Sequence, residues 1–186
     1  TGNDGQSDHW NRTPGTKLSL TTYTNADEVE LLVNGKSYGT KKNNKASAKM
    51  RNQIRWEDVV YQNGYCEAIA RTDGKIVARH KISTTGKAVA LKAEVDNNAW
   101  QADGMDLQHI RVIAVDSKGR RVSNAVADVT VTVEGDATLA AMSNGNINSD
   151  ELSVTDHQKL FNGSCLAILR AGTTPSPVMV TITAPG

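Results

Sequence analysis

The strongest constraint on this chain is a repeated unit: a short alternating run, ended by a residue pair that tolerates positive φ. The segment from Glu28 to Val33 shows it most clearly. Val29, Leu31 and Val33 fall on one side of an extended strand, and Glu28 and Glu30 on the other. The run stops at Asn34-Gly35. A two-residue hairpin turn of type I′ needs φ > 0 at both central positions, and this dipeptide supplies it. Lys36-Ser37-Tyr38-Gly39 then continues as the partner strand. Residues 17–23 read as a strand ahead of this hairpin. After a polar loop at 41–52, Ile54, Trp56 and Val59-Val60-Tyr61 make another. Asn63-Gly64 reads as a second turn. Residues 65–72 follow, with Cys66, Ala68 and Ala70 on one face, and Asp73-Gly74 is a third hairpin turn into a strand at 75–82.

The second half repeats this pattern with different residues. Val89, Leu91 and Ala93 alternate with polar neighbours, and a polar loop covers 97–106. Residues 107–116 form a strand that turns at Asp116-Ser117-Lys118-Gly119. Val129, Val131 and Val133 alternate with Thr130, Thr132 and Glu134, the mark of a half-buried strand. Strands at 137–142, 165–170 and 178–183 complete the set. Helical periodicity is nearly absent. Regular short strands with turn signals every 8–12 residues predict an all-β fold of sandwich type. The length of 186 residues suits two tandem immunoglobulin-like β-sandwich domains. The small polar stretch Ser83-Thr84-Thr85-Gly86-Lys87 is the best boundary, giving domains at 1–86 and 87–186.

Composition excludes several functions. The formal net charge is +1, with Lys and Arg dispersed among Asp and Glu, so no basic stripe exists for a phosphate backbone and nucleic acid is not an expected partner. Lys36, Lys41, Lys42, Lys45, Lys49 and Arg51 form one denser patch, which reads as a solvated loop. No apolar run reaches the ~20 residues that span a bilayer, so no membrane partner is expected either. The first residues, Thr1-Gly2-Asn3-Asp4-Gly5, are polar and unlike a signal peptide. A start without Met and an end at Thr183-Ala184-Pro185-Gly186 read as an excised piece.

Chemistry-bearing constellations are equally sparse. The carboxylate pairs are Glu28/Glu30, Asp103/Asp106 and Asp150/Glu151. The first pair lies opposite the apolar face and is expected in solvent. The second flanks a glycine, where a carboxylate commonly accepts backbone N–H bonds and sets a turn. His9, His80, His109 and His157 share no ligand spacing, and the chain has no HExxH, CxxC or Gly-x-Ser-x-Gly element. No catalytic residue, metal site or cofactor is therefore expected. Cys66 and Cys165 sit in different domains and read as buried free thiols. Aromatic residues make up only 4% of the chain, so a sugar site built on stacked rings has few rings to use. Trp56 lies mid-strand and reads as core. Trp100, in Asn97-Asn98-Ala99-Trp100-Gln101, reads as exposed, and Trp10 reads as packing against a further domain. These two are the candidates for a glycan or interdomain contact.

His9-Trp10-Asn11-Arg12 and the stretch from Tyr23 to Gly39, with its Thr24-Asn25-Ala26-Asp27-Glu28-Val29-Glu30-Leu31 core, resemble a domain of glycoside hydrolase family 2 β-galactosidases of the Bacteroidetes type. Arg12 stands where that pattern has Trp. Trp56, Asn63-Gly64-Tyr65-Cys66-Glu67-Ala68 and Thr84-Thr85-Gly86 resemble later parts of the same domain. Ala102-Asp103-Gly104-Met105-Asp106-Leu107, Val115-Asp116-Ser117-Lys118-Gly119, Ser143-Asn144-Gly145-Asn146 and Phe161-Asn162-Gly163-Ser164-Cys165 resemble the immunoglobulin-like domain that follows it. The resemblance implies accessory modules whose partner is the catalytic barrel of the parent chain. The family's catalytic glutamates lie in that barrel, so none is carried over here. The implied parent substrate is a terminal β-linked galactoside, in a periplasmic or secreted setting. Two other readings remain open at this stage. One is a carbohydrate-binding module using Trp100 or Trp10; the other is a surface adhesion or spacer module. An exposed Trp beside unpaired Asn and Asp favours the sugar reading. An apolar patch around His9 and Trp10 favours docking on a barrel.

Overall fold

The computed structural model describes residues 9–96 and 99–185; the polar start at 1–8, Asn97-Asn98 and Gly186 lie outside the described residues. The fold is all-β, as expected, with thirteen strands and no helix among the described residues. The chain forms two compact units that part between Thr84 and Thr85.

The first unit holds β1 (Lys17–Tyr23), β2 (Glu28–Val33), β3 (Lys36–Lys42), β4 (Gln53–Val60), β5 (Tyr65–Thr72) and β6 (Lys75–Ser83). They make a two-stranded sheet, β1-β4, and a four-stranded antiparallel sheet, β3-β2-β5-β6. The β2 alternation is realised as read: Val29, Leu31 and Val33 are buried in a core with Ile54, Trp56, Val59 and Cys66. Asn34 and Gly35 have φ of 50° and 80°, and Asp73 and Gly74 have 50° and 72°. Both pairs close tight hairpins within the larger sheet. Asn63-Gly64 behaves differently from the expected turn. It joins β4 to β5, which belong to different sheets, so it is a crossing. The basic patch is also redrawn, because β3 runs through Lys42 and carries Lys36, Lys41 and Lys42 on an edge strand. Charged edge positions of this kind discourage strand addition.

One residue in β4 resets its phase. Ile54 and Trp56 point inward, so strict alternation would turn Asp58 inward and Val59 outward. Instead Leu18 pairs with Val59 and Leu20 with Trp56, which leaves Glu57 and Asp58 opposite Ser19 alone. Asp58 takes a φ of 55° in this bulge, and its side chain sits in solvent beside Lys17 at 3.3 Å. Val59 and Tyr61 then face the core.

The second unit holds β7 (Ala90–Val95), β8 (Leu107–Val115), β9 (Asp128–Glu134), β10 (Ala137–Ser143), β11 (His157–Lys159), β12 (Ser164–Ala171) and β13 (Met179–Thr183). The sheets are β10-β12-β8-β7 and β11-β9-β13. Their facing side chains, including Val112, Val129, Val131, Met142, Ala167 and Leu169, form its core. β7 is an edge strand in which only Leu91 packs inward, while Val89 and Ala93 are exposed. The short β11 has too few residues to show a period in sequence. Asn162 and Gly163 have φ of 50° and 71°, and Phe161 and Ser164 exchange backbone hydrogen bonds across them. Gly163 also lies against a neighbouring loop. A Cβ there would sit 2.2 Å from the Val122 carbonyl oxygen and 2.9 Å from the Ser123 Cα.

Gly119 and Gly163 share nearly the same φ, 72° and 71°, but a Cβ on Gly119 meets nothing within 4 Å. Gly119→Ala is therefore expected to cost about 1 kcal/mol, the backbone penalty alone. Gly163→Ala adds a clash with fixed backbone and is expected to cost at least about 3 kcal/mol. Urea unfolding of the two variants checks this; equal losses would refute the steric argument.

Candidate functional site

Trp10 is held by its own unit. Its side chain is 1% exposed and belongs to the first core. Its ring tilts against Tyr61 with centroids 5.1 Å apart, and its Nε1 donates to the Gln62 carbonyl at 3.0 Å. The expectation that Trp10 packs on a further domain is thus corrected: its aromatic surface is already covered within the unit. The apolar patch anticipated around His9 and Trp10 is not formed by this ring. Trp56 is core, as read. Lys41 from β3 lies 4.9 Å over its ring and donates to the Arg55 carbonyl at 2.7 Å.

Tyr61 is the residue whose role sequence reasoning missed. The phase shift at Asp58 brings it inward. Its hydroxyl donates to Asn63 Oδ1 at 2.9 Å and lies 3.0 Å from Thr84 Oγ1 and 3.4 Å from the Trp10 carbonyl. Thr84 in turn accepts the Gly64 N–H at its hydroxyl (3.0 Å) and donates its own N–H to the Gly64 carbonyl (2.8 Å). Asn34 adds a brace from the β2–β3 turn. Its Nδ2 donates to the Asn63 carbonyl, and its Oδ1 accepts the Tyr65 N–H.

Trp100 is half-buried against the second core, and its Nε1 donates to the Asp106 carbonyl at 3.1 Å. That corrects the expectation of an exposed ring. The loop around it is set by the two aspartates in the way the sequence suggested. Asp103 Oδ1 accepts the N–H groups of Met105 and Asp106 at 2.8 and 2.7 Å, and Asp106 accepts those of Gln101 and Leu107 at 3.0 Å each. These bonds from Met105 and Asp106 hold the Asp103 carboxyl below the usual carboxylate range.

One member of each other carboxylate pair is also engaged, Glu30 in the first and Glu151 in the last. Glu30 is half-buried rather than free in solvent, with Arg71 at 3.0 Å. Bonds from the Ser37 hydroxyl and the Arg71 guanidinium lower its proton affinity. Glu151 organises the loop after β10. It accepts from Asn144 Nδ2 (3.1 Å), Ser149 Oγ (3.0 Å), Gln158 Nε2 (2.9 Å) and the Lys159 N–H (3.3 Å). Burial alone would raise its pKa, but these donors outweigh burial and hold it low. Asp116 is the most enclosed of the set, with its side chain 1% exposed. It accepts from the N–H groups of Gly86, Lys118 and Arg120 at 3.0, 2.9 and 2.9 Å, and from the Arg120 guanidinium at 2.7 and 2.9 Å. Its aspartate-plus-glycine spacing marked a turn, but nothing in the sequence showed that Gly86 would be tied to it.

The histidines do not converge. His109 pairs with Asp96 at 2.9 Å and His157 with Asp156 at 3.0 Å. Among the described residues no group of three or more His, Cys, Asp or Glu could hold a metal ion, and no helix is long and apolar enough to cross a membrane. Cys66 and Cys165 are free and buried, and burial pushes each thiol up to about 11.

Comparison with known proteins places this geometry. Residues 91–186 match the glycoside hydrolase family 2 C-terminal domain 5, and residues 15–78 match a domain of unknown function. The chain is 36% identical over 179 residues to Beta-galactosidase BoGH2A of Bacteroides ovatus, covering 96% of this chain and 20% of that protein. It is 30% identical over 176 residues to a putative beta-glucuronidase of Formosa agariphila, covering 92% of this chain and 17% of that protein. A crystal structure of a glycosyl hydrolase family 2 member from Bacteroides cellulosilyticus superposes with a TM-score of 0.86 at 34% identity, covering 95% of this chain and 24% of that one. The chain belongs to glycoside hydrolase family 2 and corresponds to that family's C-terminal region. It spans about a fifth of the length of the curated relatives it matches.

The Asp116 network generates a pH prediction. A carboxylate whose folded pKa is depressed stabilises the fold above its unfolded value, and that contribution is lost as pH falls through the folded value. Here burial opposes ionisation, and the Arg120, Gly86 and Lys118 donors overcome it, so the folded pKa is lowered. Asp116→Asn is expected to lower the melting temperature of the second unit at neutral pH. The gap to the unsubstituted protein should narrow below about pH 4, where unfolded aspartate protonates. A gap independent of pH between 7 and 3 would show that the charge of Asp116 is not what stabilises the turn.

Proposed function

We propose that this chain is a non-catalytic accessory part of a family 2 β-glycosidase, made of two immunoglobulin-like sandwiches at about 1–86 and 87–186 that serve the catalytic barrel of the parent chain as structural modules. The observation that carries this reading is the state of the carboxylates. A retaining glycosidase needs one carboxyl group kept protonated as the acid and a second about 5–5.5 Å away as the nucleophile. Asp103, Glu30 and Glu151 instead have their proton affinity lowered by the bonds they accept, and each holds its own strand or loop. Chemistry would then fall to the part of the parent that the chain does not cover. Terminal β-galactosides are the proposed substrate class of that parent. Relatives named for β-glucuronide cleavage match this region as well, so the accessory modules serve barrels of both specificities under this reading.

The test uses the chain by itself. It is expected to turn over neither nitrophenyl β-galactoside nor nitrophenyl β-glucuronide, and to be retained by no galactose-terminated polysaccharide on a glycan array. Trp100→Ala should change neither result. Glycan retention that disappears in Trp100→Ala would replace the scaffold reading with a carbohydrate-binding module. Turnover of either glycoside would overturn the non-catalytic assignment itself.

A further inference from the structure

The first unit joins the rest of the polypeptide at two places, the segment leading into β1 and the segment leaving β6. Both are gripped by one tetrapeptide, Tyr61-Gln62-Asn63-Gly64, at the crossing between the two sheets. Trp10, on the leading side, packs its ring at a tilt against the Tyr61 ring, donates its Nε1 to the Gln62 carbonyl and has its own carbonyl 3.4 Å from the Tyr61 hydroxyl. Thr84, on the leaving side, exchanges two bonds with Gly64 and approaches the same Tyr61 hydroxyl at 3.0 Å. Gly64 has no room for a side chain there, since a Cβ would lie 2.0 Å from Asn34 Oδ1. We propose that Tyr61 is a positioning residue that couples these two segments, its ring holding the leading one and its hydroxyl the leaving one, so that release of either loosens the other.

The donor order supports a connected device. A tyrosine hydroxyl carries one proton. Donation to Asn63 Oδ1 at 2.9 Å uses it, and the Tyr61 oxygen then accepts from the Thr84 hydroxyl, whose own oxygen takes the Gly64 N–H. The chain Gly64 N–H to Thr84 to Tyr61 to Asn63 therefore runs in one direction and returns to the same tetrapeptide. Bonds in such a closed chain reinforce one another. The ring of Tyr61 is buried with Trp10, so the hydroxyl cannot drift without moving the packed ring pair. This coupling goes beyond the accessory role proposed above and does not depend on it. It concerns how the unit holds its two connections, whatever the parent chain does.

Hydrogen exchange in the 186-residue chain tests it, read by NMR at the Thr84 and Gly64 amides and the Trp10 indole N–H. Tyr61→Phe keeps the ring and removes only the hydroxyl. It is expected to speed exchange at Thr84 about threefold to tenfold, the size of one net hydrogen bond, and to speed the Trp10 indole as well. Amides of β2 and β5 in the same core should keep their rates, which separates this local release from general destabilisation. Trp10→Phe, which keeps a ring but loses the bond to Gln62, should in turn speed Thr84, because coupling between two sites is reciprocal. An unchanged Trp10 indole in Tyr61→Phe, or an unchanged Thr84 amide in Trp10→Phe, would show two independent anchors and overturn the proposal. So would equal acceleration of β2 and β5.

Discussion

Each unit buries its core between two sheets, and that arrangement imposes phase: a strand that lines the core must keep its apolar residues on the inward face. Where a strand slips by one residue, everything beyond the slip faces the wrong way. β4 shows how much depends on correcting it. Strict alternation from Ile54 and Trp56 would send Tyr61 into solvent. The extra residue at Asp58, in a left-handed conformation, shifts the phase so that Val59 and Tyr61 both turn inward. Tyr61 can then pack against Trp10 and reach Thr84. Without the bulge, the leading segment would lose its aromatic partner and the leaving segment would lose its hydroxyl. A comparable adjustment occurs in β3. An additional residue between the partners of Glu30 and Leu32 is accommodated with Gly39 at a φ of 99°, and Tyr38 packs against the core.

The carboxylates follow a single physical rule. Asp103, Asp116 and Glu151 each accept several hydrogen bonds from neighbouring groups and so organise a loop. Accepting those bonds stabilises the charged form and makes the group a weaker base. A general acid needs the opposite, an environment that raises its pKa towards the working pH. The same bonds that make these groups good loop anchors therefore leave them ionised at neutral pH, with no proton to donate. Asn43 does this work without charge. Its side chain joins the Thr24 and Ala26 carbonyls to the Asn52 N–H and pins the ends of the 43–52 loop.

Much of the strand plan was legible because hairpins are local. Asn34-Gly35 and Asp73-Gly74 announce turns by residue type alone, and the valines of β2 and β9 state which face is buried. Tertiary events were not legible. Asn63-Gly64 looks like the other turns, but its strands go to different sheets, and no local signal separates a crossing from a hairpin. Trp10 is covered by Tyr61 and Gln62, about fifty positions further along the chain, so its polar neighbours His9, Asn11 and Arg12 gave the wrong impression of its surroundings. Trp100 was misjudged for a similar reason: its flanking residues are polar, while its ring lies against the second core. The family motifs, by contrast, were carried by contiguous residues and could be read directly.

One consequence concerns the two cysteines. Each core contains a single thiol, Cys66 in the first and Cys165 in the second, and burial keeps both protonated well above neutral pH. An alkylating reagent reacts with the thiolate and needs access to it, so neither thiol can be modified until its own core opens. The molecule thus carries one chemical clock per unit. The rate at which each sulfur is labelled, followed by mass spectrometry of the two separate peptides, measures how often that unit opens, and comparing the two rates shows whether the units open together or one at a time.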